Sequence, residues 1–232
     1  CLSRGLGDVY KRQIEEKAMK VVMLVTTLLV FLFVGSILYT IVKNGWGAMN
    51  WEMISSLPGG GFYIGKEGGL LNAIVGSLYI VGASTVLGLA VSIPVVFYLN
   101  VYLKKNSKRG SFARLAYDVL FGIPSIVYGA FAFTIMIYLG LKTSLAGGII
   151  VITLLIIPIF IRSMDEIARE LPQDMLNASY CLGATRYETI KVVVRQIAPG
   201  IATATLLSIG RAIGDAAAVL FTAGYSDNIP CL

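Results

Sequence analysis

The sequence predicts an all-α, polytopic membrane protein with five transmembrane helices, and three observations carry that prediction. Of the 232 residues, 56% are hydrophobic and only 14% are charged, whereas a soluble domain carries about 25% charged residues. Five apolar runs approach or exceed the roughly 20 residues that a helix needs to cross the hydrocarbon core. Basic residues concentrate in alternate connections between those runs, as membrane topology requires.

The first run, Val21–Val42, is uncharged and rich in Leu, Val and Phe. It is longer than the apolar part of a usual signal peptide and has no convincing A-x-A cleavage site, so we predict a retained helix. The other predicted spans are Leu70–Leu99, Val119–Leu141, Thr143–Ile161 and Ile197–Gly224, and only the last contains charged residues.

The distribution of lysine and arginine predicts the orientation of the spans. One set of alternate connections holds fifteen basic residues, and the other set holds three. The fifteen are Arg4, Lys11, Arg12, Lys17, Lys20, Lys104, Lys105, Lys108, Arg109, Arg114, Arg162, Arg169, Arg186, Lys191 and Arg195, against Lys43, Lys66 and Lys142. We therefore predict a cytoplasmic N-terminus and a cytoplasmic loop at residues 162–195. The net charge of +6 reflects this topology and does not indicate nucleic-acid binding, because no solvated basic face is apparent.

Several function classes lose support because the residues they need are missing from the sequence. It contains no histidine, the commonest general base and metal ligand. Its three cysteines, Cys1, Cys181 and Cys231, have no metal-ligand spacing. The nucleotide-binding motif GxxxxGK[ST] does not occur either. We therefore predict no enzyme activity, no metal site and no cofactor in this chain.

The loop at residues 162–195 has the pattern of a structured element. Ser163 and Glu166 form a capping-box pattern, which predicts a short helix that Pro172 interrupts. A second helix is predicted at Gln173–Leu182 and ends at Gly183, where a left-handed C-cap is expected. Thr185 and Glu188 form a second capping-box pattern that opens a helix leading into the fifth span. This helix–Gly–helix elbow is either a surface hairpin or a docking element for another protein.

Arg211 and Asp215 lie deep in the fifth span, where charged side chains are costly unless they face a partner or a wet cavity. Their i, i+4 spacing predicts that they share a helix face and can pair. Gly210 and Gly214 make a small-xxx-small pattern, which favours close approach of another helix. The pair either fixes helix packing or presents the Arg211 guanidinium to an anion in a pathway.

The segment Gly122–Gly129 contains Pro124 and predicts a bend in the third span, because proline removes a backbone hydrogen bond. A simple kink accounts for the segment. If the bend lines a pathway, Ser125 and Tyr128 offer hydroxyl groups to an oxyanion.

Two sets of motifs resemble known families. Asn177-Ala178-Ser179-x-x-x-Gly183 resembles the E-A-A-x-x-x-G loop of ABC importer permeases, with Asn177 in place of the acidic residue. Gly210–Ala223 and Gly122–Gly129 resemble segments of the A-type permeases of phosphate-specific (Pst) transporters, with Asp215 in place of glutamate. The resemblance implies the type I ABC importer permease fold. It implies substrate-pathway roles for Arg211, Asp215, Ser125 and Tyr128, and ATPase-coupling roles for Asn177, Ala178, Ser179, Gly183, Ala184 and Thr185.

The same resemblance implies a multi-pass permease of the bacterial inner membrane that imports phosphate by alternating access. Its expected partners are a second, C-type permease, a dimeric ATPase that binds ATP and Mg, a periplasmic or lipid-anchored phosphate-binding protein, and membrane lipid. The alternatives are a permease for another oxyanion or small solute, a non-transporting membrane scaffold, and a membrane enzyme.

The ends of the sequence carry two further expectations. Residues 1–13 read unlike a natural juxtamembrane segment, and we expect them to be an artefact that precedes a permease domain at residues 14–232. A bundle of five spans looks incomplete, so we also expect a sixth span beyond the C-terminus.

Overall fold

A computed structural model of the chain describes residues 2–58, 68–103 and 107–224, and for residues 2–12, Ala48 and Gln173 it describes the backbone only. Within these ranges the regular elements are all helical, which confirms the all-α prediction. Five residues that entered the sequence interpretation lie outside the described residues: Cys1, Lys66, Lys104, Lys105 and Cys231. The chain forms two compact units, one up to Met53 and one from Ile54 onward.

The first unit consists mainly of α1 (Leu2–Gly45), followed by a 3-10 turn at Trp46–Ala48. Its stretch Gln13–Gly45, which contains the first predicted span, is long and apolar enough to cross a membrane. The hydroxyl groups of Thr26, Thr27 and Thr40 each donate to the carbonyl one turn earlier. These bonds satisfy polar groups that lipid could not. A short helix, α2 (Trp51–Ser55), follows.

The core of the second unit lies between α3 (Leu71–Phe97) and α6 (Leu145–Glu170). Small residues of α3 allow a close approach: the Ser84 hydroxyl donates to the Ile149 carbonyl at 3.0 Å. A Cβ atom at Gly88 would lie 3.0 Å from the Phe160 ring. α3 continues through a π-helical turn at Tyr98–Tyr102, so the second predicted span is a helical segment of 32 residues.

The third predicted span, Val119–Leu141, is broken at the predicted bend. It divides into α4 (Lys108–Gly122) and α5 (Ser125–Tyr138), which meet at an angle of 95°. The break follows from Pro124, which has no N–H and disfavours helical geometry at the residue before it. Ile123 is accordingly extended, with ψ 128°. The predicted bend is confirmed, and it is sharper than a kink.

The predicted start of a new helix at Ser163 is wrong. α6 begins at Leu145, where the Ser144 side chain caps the Gly147 N–H, and runs unbroken to Glu170. Glu166 accepts a bond from Arg162 one turn earlier instead of closing a capping box. The first helix-breaking residue is Pro172, and the preceding Leu171 is extended.

The fifth span is also broken. α7 (Gln173–Cys181) leads through Gly183 into α8 (Arg186–Gly214), which is 29 residues long. The helix ends at Gly214, Asp215 is extended with φ −92° and ψ 91°, and α9 (Ala216–Thr222) follows. The predicted span Ile197–Gly224 therefore consists of the end of α8 and a short separate helix.

Candidate functional site

The elbow around Gly183 has the geometry that the sequence predicts. Gly183 has φ +80°, and its N–H donates to the Tyr180 carbonyl at 2.9 Å. The Thr185 hydroxyl accepts from the Glu188 N–H at 3.4 Å, and the Glu188 carboxylate accepts from the Thr185 N–H at 2.8 Å. This reciprocal capping box fixes the angle at which α8 leaves the elbow.

The predicted coupling residues divide into outward and inward positions. Asn177, Ala178, Gly183 and Thr185 are exposed, and Ala184 is half-buried. Ser179 is only 8% exposed, and its hydroxyl lies 3.3 Å from that of Thr189 on α8. The elbow therefore leaves Asn177 and Ala178 exposed, while Ser179 joins α7 to α8.

The predicted ion pair between Arg211 and Asp215 does not form. Among the described residues, the ion pairs are Arg114–Asp165, Arg162–Asp118 and Arg162–Glu166. The helix ends at Gly214, so the i, i+4 geometry that the pair requires is lost. Asp215 instead caps α9, where its carboxylate accepts from the Ala218 N–H at 3.0 Å.

Arg211 and Tyr128 line one cavity of about 240 Å³, which we call the Arg211 cavity. Its other walls are apolar and come from the end of α4, from the break that follows it, and from α6 and α8. They are Leu120, Phe121, Ile123, Leu155, Ile159 and Leu207. The Tyr128 hydroxyl donates to the Leu120 carbonyl at 3.0 Å, which bridges that break. Ser125 and Asp215 are not among the lining residues.

The backbones of the two broken spans are in close contact. A Cβ atom at Gly129 would lie 2.9 Å from the Ala218 Cα and 3.2 Å from the Ala217 carbonyl oxygen. No side chain larger than hydrogen fits between α5 and α9 at this point without a shift. Gly129 therefore holds the second half of one broken span against the second half of the other.

The sequence interpretation missed a polar cluster centred on Asp165. This side chain is 1% exposed, and it accepts from Arg114 Nε at 2.8 Å, Arg114 Nη2 at 3.2 Å, the Tyr117 hydroxyl at 2.7 Å and Asn100 Nδ2 at 2.7 Å. We call these four residues the Asp165 cluster. It joins α4, α6 and the π-helical turn after α3.

A sequence signal for this cluster did exist. Asp165 lies on the same helical face as Ile161, Met164 and Ala168, which are all buried. A carboxylate on a buried apolar face requires a partner. Its partners lie 48 to 65 positions away along the chain, so local spacing could not identify them.

A second cavity of about 170 Å³ lies beneath the elbow. The Asp165 cluster contributes Asn100 and Arg114 to its lining, and α7 contributes Leu176, Asn177 and Tyr180. The elbow and the Asp165 cluster therefore share one cavity.

Comparison with known proteins identifies the family. Residues 84–229 match the model of the binding-protein-dependent transport system inner membrane component. The chain is 30% identical over 216 residues to the phosphate transport system permease protein PstA of Haemophilus influenzae, covering 92% of this chain and 75% of the relative. It is 35% identical over 164 residues to PstA 1 of Mycobacterium tuberculosis, covering 70% of this chain and 53% of that relative. The chain thus spans three quarters of the first relative and about half of the second.

The fold also has a solved counterpart. An inward-facing structure of the MetNI methionine ABC transporter superposes with a TM-score of 0.58 at 20% identity, covering 62% of this chain and 70% of that one. At this identity the likeness establishes the fold alone, which agrees with the predicted ABC importer permease architecture. By its sequence, the chain belongs to the family of binding-protein-dependent transport system inner membrane components.

Proposed function

We propose that this chain is the permease subunit of an ATP-driven importer that carries inorganic phosphate across the bacterial inner membrane. The observation that carries the proposal is the Arg211 cavity, in which a guanidinium and a tyrosine lie where a broken span opens the helix packing. The PstA relatives, whose names state phosphate transport, support phosphate as the solute.

The chemistry of the cavity suits a tetrahedral oxyanion. A guanidinium presents a rigid fork of donors that can bind two oxyanion oxygens at once. In the part of the chain that the structure describes, no carboxylate pairs with Arg211, because Asp215 caps α9. The Arg211 charge is therefore available to a solute.

ATP hydrolysis is assigned to a partner, because the sequence has no nucleotide-binding motif. In this proposal a dimeric ATPase, which binds ATP and Mg, receives the elbow in a groove. Asn177, Ala178 and Leu182 form the outward face, and Leu182 is 89% exposed. The N-terminus and the elbow then lie on the cytoplasmic side, in accordance with the basic residues of residues 162–195.

The remaining partners complete the pathway. A Cβ atom at Gly210 or Gly214 would have no neighbour within 4 Å, so the close helix approach predicted there does not occur within the described residues. We assign this face of α8 to the C-type permease. A phosphate-binding protein delivers the anion from the outside, and alternating access carries it across.

Uptake in cells that lack their own A-type permease, but retain the other subunits, tests this function. We expect the chain to restore uptake of radiolabelled phosphate but not of sulfate or molybdate. Arg211→Gln should lower phosphate uptake by about tenfold or more, because hydrogen bonds to charged groups are worth about 1.5–3 kcal/mol. Uptake of sulfate or molybdate without phosphate would assign the chain to another oxyanion. Unchanged transport by correctly assembled Arg211→Gln would favour a structural role for Arg211.

A further inference from the structure

The Asp165 cluster provides buried polar contacts that attach α4 to the rest of its unit. Only Gly110 and Tyr117 are buried among the residues of α4, and Tyr117 belongs to the cluster. The other ion pair of this helix joins Asp118 to Arg162 at 3.7 Å, with both side chains well exposed. Exposed pairs contribute little and are screened by salt. The buried polar attachment of α4 therefore depends on Asp165.

The end of α4 forms a wall of the Arg211 cavity. Leu120 and Phe121 lie in its last turn, Ile123 lies in the break that follows, and all three line the cavity. A displacement of α4 along or across α6 would therefore change the space around Arg211.

The opposite side of the Asp165 cluster faces the elbow. Asn100 and Arg114 line the cavity of about 170 Å³ beneath α7, together with Asn177 and Tyr180. The Arg114 side chain is 17% exposed, so it is accessible from that cavity, whereas Asp165 is 1% exposed. A movement of α7 into the cavity would meet Arg114 and Asn100, the two side chains that Asp165 holds.

We propose that Asp165 is a positioning residue that links movement of the elbow to the Arg211 cavity by holding α4 through Arg114 and Tyr117. It contacts neither the solute nor the ATPase. The inference rests on the proposed function as a transport subunit, and it adds the side chain through which the elbow controls the pathway.

The first test measures phosphate uptake and ATP hydrolysis by the whole transporter complex in proteoliposomes. In Asp165→Asn, which keeps the shape and removes the charge, we expect phosphate transported per ATP hydrolysed to fall about tenfold, a typical coupling between sites. Glu166→Gln is the matched control, because it removes the adjacent carboxylate from an exposed pair. It should keep the wild-type ratio.

A second measurement does not depend on the solute. Cys1, Cys181 and Cys231 are replaced by serine, and a spin label is placed at Leu115→Cys on α4, a position that is 61% exposed. In the otherwise unchanged complex, ATP should alter the mobility of the label. Asp165→Asn should abolish that response, and Glu166→Gln should keep it. The double variant Asp165→Asn with Arg114→Gln removes both charges, so it serves as the uncoupled variant if an unpaired Arg114 prevents assembly.

Each outcome decides the inference. A lower transport ratio and a lost label response in an assembled cluster variant support it. An unchanged ratio, a parallel loss of uptake and hydrolysis, or a label response that survives would overturn it and leave Asp165 a purely structural residue. If the wild-type complex carries no phosphate, the proposed function fails. The label response still decides whether the response of α4 to ATP requires Asp165.

Discussion

Replacing Gly129 with alanine should separate the two broken spans. The new Cβ atom would lie 2.9 Å from the Ala218 Cα and 3.1 Å from its carbonyl oxygen, well inside the optimal carbon–carbon separation of about 3.5–4.0 Å. Both neighbours are backbone atoms, so α5 and α9 must move apart. Overpacking of this kind costs about 1–3 kcal/mol, against a gain of about 0.5–1 kcal/mol for replacing a helical glycine.

The matched control is Gly82→Ala on α3. A Cβ atom there has no neighbour within 4 Å, so only the helical gain applies. The two variants should therefore differ in free energy of unfolding by about 2 kcal/mol. For a chain of this size that difference corresponds to about 4–8 °C in melting temperature.

The assay is the temperature at which the detergent-solubilised protein loses its monodisperse peak in size-exclusion chromatography. Gly129→Ala should melt below wild type, and Gly82→Ala should melt at or above it. Equal melting temperatures for the two variants would refute the inferred backbone contact between α5 and α9.

Three further predictions follow from the same structure. Asp215→Ala should lose the N-cap of α9 and destabilise the protein by about 0.5–2 kcal/mol, whereas Asp215→Asn should melt near wild type. A strong loss in Asp215→Asn would instead favour a charge-dependent role. Gly183→Ala should cost about 1–2 kcal/mol, because φ +80° disfavours a Cβ atom. Gly183→Asn should recover part of that loss. In an ATPase co-purification, equal recruitment by wild type, Gly183→Ala and Gly183→Asn would show that the elbow geometry is unimportant. Tyr128→Phe removes the bond to the Leu120 carbonyl and should lower the free energy of unfolding by about 0.5–1.5 kcal/mol in thermal melts; an unchanged melt would show that the bond does not stabilise the break.

Sequence patterns predicted the features whose causes are local. The elbow depends on a glycine and a capping box within a few residues, so its geometry could be predicted before the fold was known. The apolar runs likewise identified the spans. The same capping-box pattern failed at Ser163, because Ser and Glu three positions apart also occur in the middle of a continuous helix.

Features that depend on distant residues were not predictable in this way. Pro124 indicated a bend, but its 95° angle belongs to a structure in which α5 packs on α9, far along the chain. Gly214 followed by Asp215 was a local signal for the end of one helix and the N-cap of the next. The i, i+4 spacing of Arg211 and Asp215 nevertheless favoured an ion pair, because the helix was assumed to continue. The Asp165 cluster draws its members from three helical segments, so only its burial on the apolar face of α6 could have indicated it.

ATP-driven phosphate uptake tests the proposed transport function directly, in proteoliposomes that contain the permease with its proposed C-type partner, ATPase and phosphate-binding protein. We expect labelled phosphate to accumulate only when ATP is hydrolysed and labelled sulfate not to accumulate. Arg211→Gln should remove the phosphate accumulation while the complex remains assembled. Stimulated ATP hydrolysis without phosphate entry, or equal entry of phosphate in wild type and Arg211→Gln, would contradict it.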